Sequence, residues 1–546
     1  MNDFNRPIFP RDGQVSTCRF GYFTYRLRSR LRSIALFIAL LPAVVALQAC
    51  KSPQERAAVL AQQADVYAAA GNLVAARQAI SQAIALREDQ PAYHQLLGAI
   101  ALKSNDTMGA YRAFSRALEF DATNRMALAY VANIGVQIGQ LSDAEEAADK
   151  LLTLEPNAVP AMQVKGMIAL SKEKYDDAMA MADKIIAIAP SDEAAAIIKA
   201  RSLAKTGKAE DALKLIDAAM LVSQKSPALI TNKLNIYRYL KQPEGMAPLL
   251  GDVVRLSKGN PVYRLDQVNL LYKIGQTEQA RAAAMELLKA GSRDPSDYRT
   301  LQRIWWQYDK TPISEASARG VSAWSEPLAV VQTVRYLFQI GDLKMADAVL
   351  RNAPANAQPL IASLKARLFA ASGRQAEARQ QIDALLEKDD HDVDALLLRT
   401  QILMKANQID AAIEAAQLAQ VNDPLDPETY VVLADIYRSS KADWRARQVF
   451  EDGLKNLPQN FYLLEKYTQY LHQLGDKGRA VSVTRAFARA VPSATKAWEV
   501  MGAQCQWAGD QACLQNAYQG FAAAKTSYMV DDTPGTPPNR GLFGRI

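Results

Sequence analysis

Six polar residues in the middle of the chain stand 34 or 32 residues apart: Arg201, Asn235, Asn269, Arg303, Arg335 and Arg367. All but Arg367 have companions a turn of helix away. These are Lys205; Arg238 and Tyr239; Tyr272 and Lys273; Arg299 and Trp306; and Phe338. Arginine forks suit carboxylates. Asparagine bonds an extended backbone, and aromatic rings offer flat apolar faces. No acidic residue falls at the three central register positions of these stretches. The pattern is that of a surface for an anionic, extended ligand, with a solvated basic helix face as the plainer alternative.

Residues for catalysis are not arranged in a comparable way. The chain has no GxxxxGK[ST], HExxH or GxSxG. Its three histidines, His94, His391 and His472, fall far apart in the sequence, so no shared metal site is expected. His472 takes an inward register position, where a solvated histidine competes with a ligand contact. The pairs Asp176/Asp177 and Asp389/Asp390 fall in turns and helix starts, where carboxylates cap helices and favour the dipole. No enzyme activity, metal or cofactor is expected.

The elements that position the basic stretches are written as one unit many times. Glycine or a substitute recurs at Gly71, Asn105, Gly139, Glu173, Gly207 and Gly275, with alanine five residues later at Ala76, Ala110, Ala144, Ala178, Ala212 and Ala280. The phase resumes at Gly341 and Ala346, Gly373 and Ala378, Asn407 and Ala412, Ala446, Gly475 and Ala480, and Gly509. Pro156, Pro190, Pro424, Pro458 and Pro492 close units. Apolar residues at steps of three and four within each unit predict two helices. Small residues allow close approach, glycine ends the first helix and proline the second. Fourteen units start near residues 57, 91, 125, 159, 193, 227, 261, 295, 327, 359, 393, 427, 461 and 495. The unit from 227 is degenerate, and the unit at 295–326, with Trp305, Trp306, Pro312 and Trp324, is the least regular.

This pattern resembles the tetratricopeptide repeat family over about residues 55–525, with Gly98, Ala110, Phe114 and Ala117 and then Ala434, Tyr437, Ala446, Phe450 and Pro458 carrying it clearly. The resemblance implies an all-α solenoid, a superhelix of about fourteen helix-turn-helix units with a concave groove lined by each unit's first helix. It implies protein partners, bound as extended or helical segments. The expected organisation is an N-terminal array over 57–294, an irregular joint over 295–326, a C-terminal array over 327–528 and a Pro/Gly-rich disordered tail over 529–546.

The formal charge of +7 suggests nucleic acid until it is located. Taking the seven arginines and two acids of residues 1–49 away from 64 basic and 57 acidic residues leaves 57 against 55. No nucleic-acid partner is expected. That leader has a basic run, Arg26, Arg28, Arg30 and Arg32, then an uncharged stretch from Ile34 to Leu47 that is short for a membrane span. Leu47-Gln48-Ala49-Cys50 resembles a bacterial lipobox, although Gln48 is not the small or apolar residue usual there. The resemblance implies a signal peptide over 1–49 removed before a lipidated Cys50, with residues 50–56 as linker and the membrane engaged through the lipid only. An uncleaved anchor is the alternative. Lys51 in place of aspartate favours the periplasmic face of the outer membrane. Beyond Cys50 only Cys505 and Cys513 remain, on facing helices of the last unit. An oxidising compartment allows them to pair, or they stay as two buried thiols. The expected role is a scaffold in exopolysaccharide export, pilus assembly or secretion. Direct binding of an acidic polysaccharide is the alternative.

Overall fold

The computed structural model describes residues 52–527. The leader, Cys50 and the tail beyond Ser527 lie outside the described residues. The chain falls into two compact units, one ending at Ser223 and the other beginning at Gln224. The irregular stretch 295–326 lies inside the second unit. The first helix starts at Pro53, within the stretch read as linker.

Both units are tandem helix pairs, here called helix A and helix B of each repeat. In the first unit helix A of repeats 1 to 5 spans Pro53–Ala69, Pro91–Lys103, Arg125–Ile138, Val159–Ser171 and Glu193–Lys205. Later A helices start at 227, 261, 295, 327, 362, 393, 427, 461 and 495, so all fourteen units are present among the described residues, with repeat 10 starting three residues late.

The alanine of helix B in eleven of the fourteen repeats is the packing key. Ala76, Ala110, Ala144, Ala178, Ala212, Ala280, Ala346, Ala378, Ala412, Ala446 and Ala480 are all fully buried. A methyl there brings helix A and helix B into close contact. Gly98 shows how close. A Cβ on it would lie 2.7 Å from the Phe114 ring of the facing helix. Turns between the two helices follow from the backbone. Gly71 has φ +79° and the next amide, Asn72, donates to the carbonyl of Tyr67 at 2.9 Å, satisfying the helix end. Where glycine is missing, Asn105, Glu173, Lys241, Asn407 and Lys441 take the same left-handed conformation at φ 57° to 59°. Side-chain caps start several helices. Asn72, Asp106, Asp192, Asp392 and Asp510 each accept from the amide three residues on.

Repeat 8 breaks the rule. Its helix A, Pro295–Tyr308, ends at Asp309 with φ −149°, extended rather than left-handed. Helix B is reduced to Glu315–Arg319 and a 3-10 turn, Gly320–Ala323. The Asp309 carboxylate explains the departure. It accepts from Arg281 Nε and Nη2 at 2.7 and 2.9 Å, from Tyr272 Oη at 2.9 Å and from the Thr311 amide at 3.0 Å. Burial would raise that carboxyl, but Arg281 and the other donors outweigh it and hold it below the usual range. Trp305, Trp324 and Ile313 fill the space a full helix B would have taken, at 1%, 3% and 4% exposure.

The second unit also closes on itself. Helix A of repeat 8 packs against helix A of repeats 13 and 14, Phe461–Leu474 and Thr495–Ala508. Trp306 meets Tyr462 with ring centres 5.7 Å apart, and Lys273 Nζ donates to the Ser493 carbonyl at 2.9 Å. The larger apolar core of this unit draws on residues from Leu265 to Ala517, and a separate cluster runs from Ala366 to Val432. Cys505 and Cys513 are disulfide-bonded across the last helix pair, with Cα atoms 5.5 Å apart.

Candidate functional site

The inward-facing residues meet different fates, because the closure of the second unit buries part of the surface that sequence register alone leaves open. Arg201 and Lys205 are exposed on helix A of repeat 5, in the first unit. In the second unit Asn235 and Arg238 are half-buried, burial pushing the Arg238 guanidinium pKa down, and Tyr239 is 52% exposed. Asn269 is half-buried. Tyr272 is buried on Asp309, and Lys273 serves as a strap to repeat 14.

Arg335 and Arg367 are engaged by acids of the fold itself, which the expected open groove did not include. Arg335 bonds Asp394 through Nε and Nη2 at 3.0 and 2.9 Å and pairs with Asp423 and Asp426 at 3.3 and 3.4 Å. Arg367, at 7% exposure, donates to Asp394 and Glu428 and lies 4.8 Å over the Phe338 ring. The acids come from the second residue of helix A in repeats 11 and 12, Asp394 and Glu428, and from the turn before it. They sit outside the three register positions at which acids are scarce. A repeat's inner face meets acids one and two repeats onward, which a register read one repeat at a time does not show.

Burial pushes the Asp426 carboxyl up to about 6, with Glu428 and Asp394 adding to the effect and Arg335 opposing it. Asp394 has the opposite balance. Burial would raise it, but Arg335 and Arg367 outweigh that and hold it low. Two arginines thus neutralise part of a four-carboxylate cluster inside the fold.

Two clefts stay open in this unit: one of about 210 Å³ lined by Phe338, Arg367, Gln401, Lys405 and Glu428 among others, and one of about 280 Å³ at the seam of the closed unit. Helix A of repeat 8 supplies the seam cleft with Ser296, Arg299, Thr300, Gln302, Arg303 and Trp306, and Gln339 comes from repeat 9. Pro427 and the turn Asn456–Phe461 form the other side. The spacing of Arg299, Arg303 and Trp306 puts them on one helix face. No aspartate or glutamate lines the cleft. Trp306 is 7% exposed and its buried Nε1 has no hydrogen-bond partner. Gln302 is engaged on the Gln332 carbonyl at 2.7 Å, and Asn456 donates to Tyr430 Oη at 2.9 Å. In the turn 456–461 register singled out Pro458 as a unit-closing proline, but not as part of a binding surface. The turn lies between helices, and its amides, Asn456, Gln459 and Asn460, are the further sequence signal for it.

The histidines are otherwise engaged. His94 Nε2 lies 2.7 Å from the Glu88 carbonyl, and His472 bonds Gln504 and stacks on Trp507. His391 with Asp389 and Asp390 forms an exposed acidic turn in which Asp389 accepts from the His391 amide at 3.0 Å. No helix of the described residues is long and apolar enough to cross a membrane.

Fold and surface define a class first: an α-solenoid whose units bury their faces on one another and leave side chains for a partner. Family models described as tetratricopeptide repeat match residues 131–193 and 363–427, and another of the same description matches 169–231. The chain belongs to the tetratricopeptide repeat family. Repeats of this family serve as protein-interaction scaffolds. No curated protein sequence matches the chain. Among solved structures, a tetratricopeptide repeat protein from Parabacteroides merdae is 16% identical, covering 47% of this chain and 94% of its own at a TM-score of 0.35. The structure titled functional characterization of Pseudomonas aeruginosa pilF is 16% identical, covering 38% and 96% at 0.31. PilW, described as a type IV pilus biogenesis factor, is 15% identical, covering 36% and 92% at 0.32. No role is carried over from these partial likenesses.

Proposed function

We propose that the protein is a lipid-anchored scaffold on the periplasmic face of the outer membrane, which gathers protein partners for assembly of an envelope machine such as a polysaccharide exporter, a pilus or a secretion system. The donor-rich seam cleft around Arg299 is the observation that carries the binding part. It combines cations and amides with no acid in its lining, the reverse of the self-neutralised Arg335–Arg367 cluster beside it. Two features support the location. Leu47-Gln48-Ala49-Cys50 is a lipidation sequence in form, and the Cys505–Cys513 bond suits an oxidising compartment.

Direct binding of an acidic polysaccharide is the second reading, and the same arginines favour it. The aromatic residues do not. Trp306 is nearly covered and Phe338 lies beneath Arg367, so neither offers the free face on which a sugar ring stacks. Metabolic labelling with a palmitate analogue tests the anchor. Label should be incorporated by the wild type and lost in Cys50→Ala, which should leave the membrane fraction. An unlabelled wild-type protein would remove the anchor and the location together.

A further inference from the structure

We infer that the seam cleft holds a glutamate- or aspartate-bearing segment of a partner polypeptide, and that filling it is coupled to closure of the second unit. The inference rests on the scaffold reading and names the ligand chemistry of its site.

Two observations converge on the ligand. Arg299 is half-buried, and no hydrogen bond or ion pair engages it among the described residues. A guanidinium in that position gains most from a carboxylate, which takes two of its N–H groups at once. The opposite wall offers the apolar Pro427, Leu457, Pro458 and Phe461, and no acid lines the cleft. The apolar groups match the carbon stems and apolar side chains of a polypeptide, and the absence of acid leaves its carboxylates unopposed. At about 280 Å³ the cleft is at the small end for ligand pockets. It takes an anchoring residue or two, with the rest of the segment outside.

The coupling follows from where the walls come from. One is helix A of repeat 8 and the other is the turn between repeats 12 and 13, which are neighbours only because the unit closes. A ligand touching both walls binds the closed arrangement better than an open one. It must therefore favour closure, and whatever favours closure must favour the ligand.

The test uses the full chain and a fluorescein-labelled hexaglutamate peptide, read by anisotropy at low and high salt. Saturable binding is expected, weakened roughly tenfold or more in Arg299→Ala and less in Arg299→Lys, with Arg201→Ala unchanged. Gln339→Glu, which adds a carboxylate to the cleft, should weaken it too and guards against a folding defect in the first variant. Lys273→Met cuts the strap to Ser493 without touching the cleft and should lower affinity severalfold. Equal binding in wild type, Arg299→Ala and Gln339→Glu would overturn the site. Unchanged affinity in Lys273→Met would overturn the coupling. Oligogalacturonate binding that depends on Arg299, with no hexaglutamate binding, would overturn the polypeptide in favour of a sugar acid. Failure of the scaffold reading would show elsewhere, as the lack of any protein partner in cells.

Discussion

Arg367→Met separates a structural arginine from a ligand-binding one. In the wild type the guanidinium is almost wholly buried and is held by Asp394 and Glu428, each from a different repeat. Removing it leaves Asp394, Asp426 and Glu428 with Arg335 as their single buried cation. Two charge-assisted hydrogen bonds at about 1.5–3 kcal/mol each give a loss of about 3–6 kcal/mol. Measured losses for one partner of a buried pair, about 3–5 kcal/mol, agree. Set against a typical domain stability of about 5–15 kcal/mol, this is a large fraction. The assay is urea unfolding followed by tryptophan fluorescence. All six tryptophans, at 305, 306, 324, 444, 498 and 507, lie in the second unit, so the signal reports that unit alone. The midpoint should fall sharply. Arg367→Met/Glu428→Leu should recover part of the loss, since Asp394 keeps Arg335 and the unpaired Glu428 is gone. A single variant of wild-type stability that had lost acidic-peptide binding would refute the reasoning and return Arg367 to an open groove.

Other expectations follow from the same structure. Asp426 carries a raised pKa of about 6 in the fold against 3.8 unfolded. Its contribution is therefore fully present below pH 4 and is lost as pH rises through 6, by on the order of 2–3 kcal/mol. Asp426→Asn should flatten that part of the stability–pH curve, and an unchanged slope would count against the buried cluster. Reducing the Cys505–Cys513 bond, or replacing both by alanine, should cost about 2–3 kcal/mol for so short a loop, seen as early hydrogen exchange confined to residues 495–525. Lys241→Gly and Glu173→Gly should each stabilise by up to about 1 kcal/mol, because both residues hold a left-handed backbone. Gly98→Ala should destabilise by about 1–3 kcal/mol through its contact with Phe114. Thermal melts of the purified variants check both of these glycine predictions.

The repeat was legible because its period is enforced residue by residue. A larger side chain at the buried alanine of helix B drives two helices apart, so the 34-residue step survives even where the glycine does not, as at Glu173 and Lys441. The irregularity at 295–326 was legible from its tryptophans, while the Asp309 network that causes it joins residues about 30 apart in the chain and leaves no local mark. The inner faces were harder. Register says that Arg335, Arg367, Trp306 and Tyr272 point inward, and says nothing of what they meet. In the second unit the inward aromatics are large enough to fill the concave side, and acids from repeats 11 and 12 claim two of the arginines. Of the basic stretch, the part around Arg299 and Arg303 lies beside an open cleft with no acid in its lining, and its other wall comes from a turn in which register marks only Pro458.

The central claim, that the seam cleft binds a protein partner, is tested most directly by photo-cross-linking in intact cells with a photoreactive amino acid at position 339. The account predicts a discrete protein adduct that disappears when Arg299 is changed to alanine. An adduct that persists in Arg299→Ala, or a chain that cross-links to no protein at all, would contradict it.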